Sequence, residues 1–263
     1  MATDRPPDVG AAGLAGPDSV GWSGDVIEAA RQISATFAEG LERIHRVVES
    51  DGALPAADKA LLVATAAANR GRGALMSAEL QRARLLGVNG ADADGAALAL
   101  LLARGEAAFA AFAAAVKGIF GDGATGAEGG RRGETMGAAV SRADLSNAGP
   151  EQALDYFREH FGGEVPLRQR AFAEISPLAF EGYHLMHRAA LKENPLSPKS
   201  VELLMCAINA SDYQVAFLEI HVAGARAVGA SEPEIAEAVL CGIPAAGIAV
   251  WPGAAEAMIK TRT

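Results

Sequence analysis

The chain has 263 residues, enough for one large domain or two small ones, and half of them are apolar. Aromatics are only 5% and alanine dominates the apolar share, which favours helices over strands. The net charge of -9 argues against nonspecific nucleic-acid binding, which needs a basic face, and no apolar run reaches the roughly 18 residues of a membrane span.

In chain order, residues 1–22 are rich in Pro, Gly, Ala and Asp and lack the basic start and apolar core of a signal peptide, so a flexible arm is expected. Residues 23–120 form a first helical unit. It opens with a long helical lead-in, Asp25–Ser50, and Leu54-Pro55 starts the next helix. Residues 121–150, with Gly-Asp-Gly and Ser-Asn-Ala-Gly-Pro, read as a linker. Arg131-Arg132 is the one basic pair that stands out. A second unit follows over 151–263. Its lead-in, Pro166–Glu193, carries a possible break near Pro177, and Asn194-Pro195 stops it. Ser197 and Pro198 suit the cap and first turn of another helix, whose pattern runs to Gly229. Ser231 and Glu234 then form a capping box. The fold expected is all-α, two tandem helical-bundle repeats. Cys206 and Cys241 make no CxxC pair and read as buried, reduced thiols, in keeping with a cytoplasmic setting.

The two units are expected to be copies of each other. Shifted by 142 positions, Gln32–Gly87 aligns with Glu174–Gly229 without a gap. Ile33/Ile175, Ser34/Ser176, Gly40/Gly182, His45/His187, Arg46/Arg188, Arg84/Arg226 and Gly87/Gly229 are identical. Alanine pairs arise by chance in such a sequence. Pairs of His-Arg and Gly at one fixed offset do not.

Leu196-Ser-Pro-Lys-Ser-Val-Glu202-Leu-Leu204, then His221, then Gly229-Ala-Ser-Glu-Pro-Glu-Ile235-Ala-Glu-Ala238, resembles the carboxymuconolactone decarboxylase and alkyl hydroperoxidase D superfamily. The resemblance spans Leu178 to Met258 well and Glu42 to Val116 weakly. It implies a helix-turn-helix carrying a Glu and, nineteen residues later, a His, here Glu202 and His221. The hydroperoxidase branch places a CxxC between them. Here those positions are Gln214 and Phe217, which can neither attack a peroxide nor resolve the product. The decarboxylase branch's His-His pair after a Tyr is also absent; Phe217-Leu218 stands near there.

On one continuous helix, Glu202, Cys206, Tyr213, Phe217 and His221 would share a stripe, but about 28 Å would separate its ends. The Glu and His meet only if the chain folds back, and Ala210-Ser211-Asp212 is the expected break. His221 is the candidate general acid or base, since an unperturbed imidazole titrates near neutrality. Glu202 is its candidate partner and Tyr213 a candidate donor to a developing oxyanion, giving the catalytic set His221, Glu202 and Tyr213. His184, His187, Arg188, Phe217 and Cys206 are candidate substrate contacts. His184 and His187 share a helix face, but His187 has a first-copy twin, His45, whose copy lacks the other ligands, so no metal is assigned. The first copy has Ala60, Glu79 and Gly71 at the positions of Glu202, His221 and Tyr213, and reads as a scaffold.

The leading expectation is a lyase-like enzyme that runs acid–base chemistry on a small carboxylated substrate without a cofactor. Decarboxylation, isomerisation and lactone opening stay open. Two other classes remain: a divergent hydroperoxidase using Cys206, and a non-catalytic oligomeric binding protein. The expected partners are that substrate and further copies of the chain, with no nucleic acid and no membrane. Family members resemble rings of single-repeat subunits, so fused repeats predict a trimer, or a dimer as second choice.

Overall fold

A computed structural model describes residues 23–121 and 150–262. The expected arm, Arg131-Arg132 and the interior of the expected linker lie outside the described residues. Every regular element among those described is a helix. In chain order they are α1 Ser23–Ile33, α2 Ala35–Glu49, α3 Ala56–Asn69, α4 Gly73–Leu85, α5 Gly90–Arg104 and α6 Glu106–Phe120. After the gap come α7 Pro150–His160, α8 Leu167–Ile175, α9 Pro177–Leu191, α10 Pro198–Ser211 and α11 Val215–Ala227. The chain ends with α12 Glu232–Leu240, the single turn α13 Ile243–Ala246 and α14 Val250–Lys260. Among the described residues no helix is long and apolar enough to cross a membrane.

The local signals explain most boundaries. Ser197 caps α10 by accepting from the Ser200 N–H, with Pro198 in the first turn. Ser231 and Glu234 form the reciprocal box that opens α12. Gly229, at φ +87°, closes the turn after α11, where a side chain would be strained. One expectation is corrected: Asp25–Ser50 is not a single helix. It breaks at Ser34, whose extended backbone (φ −154°) and side chain, accepting from the Phe37 N–H, start α2 afresh. The second lead-in breaks at Ser176, with Pro177 opening α9.

The offset that aligns the sequence also aligns the helices. α2, α3 and α4 recur 142 residues later as α9, α10 and α11, residue for residue at both ends. α3 and α10 pack together at the centre, each backed by its own hairpin partner, α4 or α11. Equivalent positions touch across them: Asn69 Nδ2 donates to Ser211 Oγ at 2.9 Å, and Arg70 pairs with Asp212 at 3.3 Å. That self-contact marks a local two-fold axis. Further out, the Glu237 carboxylate accepts from the Ala53 and Leu54 N–H groups, and Asn194, in the mirror place, donates to the Gly95 carbonyl. One apolar core runs through both halves, from Leu61, Leu62 and Leu80 to Leu204, Ile208 and Val222. A smaller cluster of Ala153, Phe157, Val165, Ala173 and Phe180 ties α7, α8 and α9 together beside it.

Candidate active site

The fold-back needed to join Glu202 and His221 is made by Asp212–Gln214. The turn is tight because Tyr213 adopts φ +59°, a left-handed conformation that Gly71 takes at the equivalent turn. α11 therefore returns antiparallel along α10, and His221 Nδ1 lies 2.9 Å from Glu202 Oε2. An ionised carboxylate can only accept, so Nδ1 carries a proton, and in the neutral form of the ring Nε2 is the nitrogen with the free lone pair. Gly224, one turn beyond His221, makes the approach possible. A Cβ there would come within 2.7 Å of the Glu202 carboxylate.

The pair lies in the wall of a cavity of about 800 Å3. α10 and α11 supply Glu202, Met205, Asn209, Phe217 and His221. α9 supplies Tyr183 and His187, and α7 and the start of α8 supply His160, Arg168 and Gln169. The end of α5, from the first half, adds Leu102, Ala103 and Arg104. Arg104 is braced by Asp212 and Asn209. Among the described residues no three His, Cys, Asp or Glu side chains converge as metal ligands would.

Electrostatics around the wall are dominated by burial. His187 is 6% exposed, and burial, with the nearby charges of His160, His221 and Lys192, holds its pKa down to about 3. His160 is lowered in the same way. Tyr156, whose hydroxyl is 2.8 Å from His187 Nδ1, is pushed up to about 12, chiefly by burial.

Of the residues singled out in the sequence, His221, Glu202, His187 and Phe217 line this cavity. The other four do not. Tyr213 is on the outer side of the turn, where its hydroxyl donates to the Ala246 carbonyl and its ring lies against Arg70. Cys206 is fully buried inside α10, and burial raises its thiol far above the ordinary range. His184 packs on the Tyr156 ring, 4.6 Å between centroids, behind His187. Arg188 pairs with Glu193. Sequence reading missed His160, Arg168, Gln169 and Arg104, whose positions follow no short spacing from Glu202 or His221.

In the first half the matching positions are closed. Glu79, in place of His221, is ion-paired with Arg82, in place of Gly224, both nearly inaccessible. The Arg82 guanidinium reaches the Ala56 and Glu49 carbonyls beside Ala60, the residue that replaces Glu202. The space between His45, Glu49, Val63, Leu75 and Glu79 is filled.

The stretch that holds the pair is recognisable by comparison. Residues 177–260 match the model of the carboxymuconolactone decarboxylase family. The match runs from the first residue of α9 to the last of α14. The matched stretch contains Glu202, His221 and His187. The walls built by α5, α7 and α8 lie outside it. No curated protein is similar enough to be matched to the chain.

Proposed function

We propose that the chain is a carboxymuconolactone decarboxylase-like enzyme that moves a proton at a carbon next to a conjugated carbonyl, on a small carboxylated substrate, with no cofactor taking part. The observation that carries this is the Glu202–His221 pair in the wall of a cavity large enough for a small molecule. Glu202 accepts from Nδ1, which leaves Nε2 as the base. In isomerisation, Nε2 takes a proton from carbon, the C–H electron pair moves to the carbonyl oxygen as an enolate, and the imidazolium returns the proton to another carbon. In decarboxylation the C–C bond to the carboxylate breaks instead. Its electron pair takes the same path, carbon dioxide leaves, and a proton taken up from solvent water is passed by His221 to the carbon. Arg168 and Arg104, the cations of the wall, supply the charge that a carboxylate would seek.

The redox alternative requires Cys206 as a thiolate. A fully buried thiol with its pKa pushed up, and Gln214 and Phe217 in place of a CxxC, give it neither nucleophile nor resolving partner. The test is turnover of carboxylated lactones and their open-chain isomers, followed by release of carbon dioxide or by absorbance. Glu202→Gln and His221→Ala should each abolish it without unfolding the protein, whereas Glu79→Ala should cost about 3 kcal/mol of stability, because it strands the buried Arg82, and spare the chemistry. Loss of activity in Cys206→Ser with His221→Ala fully active would overturn the proposal.

A further inference from the structure

Moving a proton at carbon leaves negative charge on an oxygen, and catalysis needs a donor aimed at that oxygen. Tyr213, the candidate from the sequence, lies outside the cavity. His187 lines the cavity together with His221, and its Nδ1 faces a different kind of partner. His221 Nδ1 faces a carboxylate that can only accept, whereas His187 Nδ1 faces the hydroxyl of Tyr156. A phenol hydroxyl can donate as well as accept, and among the described residues Nδ1 of His187 is the hydrogen-bond partner found for it. An Nδ1 that accepts leaves the proton of a neutral ring on Nε2, for which no protein partner is found among the described residues.

The first half supplies an internal comparison. His45, 142 residues before His187, has its Nδ1 at 2.9 Å from the carboxylate of Glu49. The position of Glu49 is taken in the second half by Leu191, and Tyr156, from α7, stands in as the partner. The carboxylate, which would demand a proton on Nδ1, has been replaced by a phenol that can give one.

We propose that His187 is a second catalytic residue: a neutral imidazole, held as the Nε2–H tautomer by the Tyr156 hydroxyl, that donates a hydrogen bond to the substrate oxygen on which charge develops. The proposal rests on the reading of His221 and Glu202 as the proton-transfer pair, and Tyr156 is its positioning residue. The surroundings keep the ring neutral. His160 faces it from α7, His184 from its own helix and His221 from α11, with Lys192 just past the end of α9. Each opposes a further positive charge, and burial adds to them. Tyr156, held up to about 12 chiefly by burial, keeps its proton at neutral pH. One imidazole backed by a carboxylate and one backed by a phenol, in one cavity, divide the work into base and donor.

The test reads the tautomer first. Long-range proton–nitrogen NMR on the full chain with 15N-histidine, from about pH 5 to about pH 9, should show His187 neutral throughout, with Nε2 protonated and Nδ1 bare. Tyr156→Phe should release it to a mixture of tautomers. A wild-type His187 protonated on Nδ1, or titrating near neutrality, overturns the proposal. In turnover, His187→Ala should lower kcat by about 100-fold with KM little changed, and His187→Gln, which keeps an N–H donor, should recover part of it. Equal loss in both variants, each shown to be folded, also overturns it. The tautomer is read without substrate, and the His221→Ala test does not involve His187, so failure of the donor role is distinguishable from failure of the proton-transfer reading.

Discussion

At the scale of single residues, the two halves show the same backbone positions carrying opposite chemistry. Glu202 and His221, with Gly224 beside them, make a pair next to open space; Glu79 and Arg82, with Ala60 in place of the acid, make an ion pair that fills it. Burial decides the behaviour of the histidines around the cavity, and this has a consequence for stability. His187 sits at about 3 in the folded protein against an ordinary 6.5. Between those values the unfolded chain binds the proton and the folded chain does not, so stability is lost as pH falls through that window. The full loss from this group amounts to up to about 5 kcal/mol, at about 1.4 kcal/mol per unit. Urea unfolding at about pH 7 and about pH 4.5 should therefore show a fall of about 3 kcal/mol that His187→Gln removes, leaving a weaker slope from His160 and His184. An unchanged pH dependence in the variant would show that the ring is not held neutral. The candidate pair itself was legible in the sequence because Glu202 and His221 lie in one motif of fixed spacing. His160, Arg168 and Arg104 were not, because only packing brings α7, α8 and α5 to that wall.

At the scale of elements, the close approach of α11 to α10 depends on a residue without a side chain. Gly224→Ala should improve helix propensity by up to about 1 kcal/mol while pushing the Glu202 carboxylate aside. We expect stability to hold or rise and turnover to fall at least tenfold, about 1.4 kcal/mol in the barrier. A variant with wild-type turnover would mean that the carboxylate position does not matter. The turn before α11 gives a prediction of the opposite kind. Tyr213→Phe removes the hydrogen bond to Ala246 and nothing from the cavity. It should cost about 1 kcal/mol in thermal unfolding and leave kcat/KM within about twofold. A large loss of turnover would restore the hydroxyl to the mechanism. Capping chemistry made Ser197 and Ser231 readable in advance, because cap and box are short-range. Ser34 was missed because a serine inside a helical pattern looks the same as one that interrupts it. Its counterpart Ser176, followed by a proline, was the available signal.

At the scale of the molecule, the paired contacts Asn69–Ser211 and Arg70–Asp212 hold α3 against α10, and the main apolar core is shared by both halves. The cavity inherits that arrangement, since α5 of the first half closes it. Apolar side chains stay exposed at corresponding places: Ile33 is 89% and Ile175 82% accessible, each at the end of the helix before the serine break, with Phe37 and Leu178 close by. Isolated exposed apolar residues are ordinary, but recurrence at equivalent sites fits burial between copies. We expect a trimer in solution, and light scattering at micromolar concentration should give three chain masses. A clean monomer would end the idea.

The amino-acid pattern by itself determined that the chain is helical, where several helices begin, as at Leu54-Pro55, Ser197 and Ser231, and that Glu202 and His221 go together. Alanine content, caps and motif spacing all act over a few residues, so they survive in a linear reading. The tertiary structure alone decided what each histidine of the cavity faces: Glu202 for His221 and Tyr156 for His187. A ring nitrogen's proton depends on what it faces, and His187 faces Tyr156 from a helix thirty-one positions away in sequence. It also decided that the space beside His221 is open and the space beside Glu79 filled. Gly224 and Arg82 differ in how much space they take, and that space acquires meaning only once α11 lies against α10 and α4 against α3.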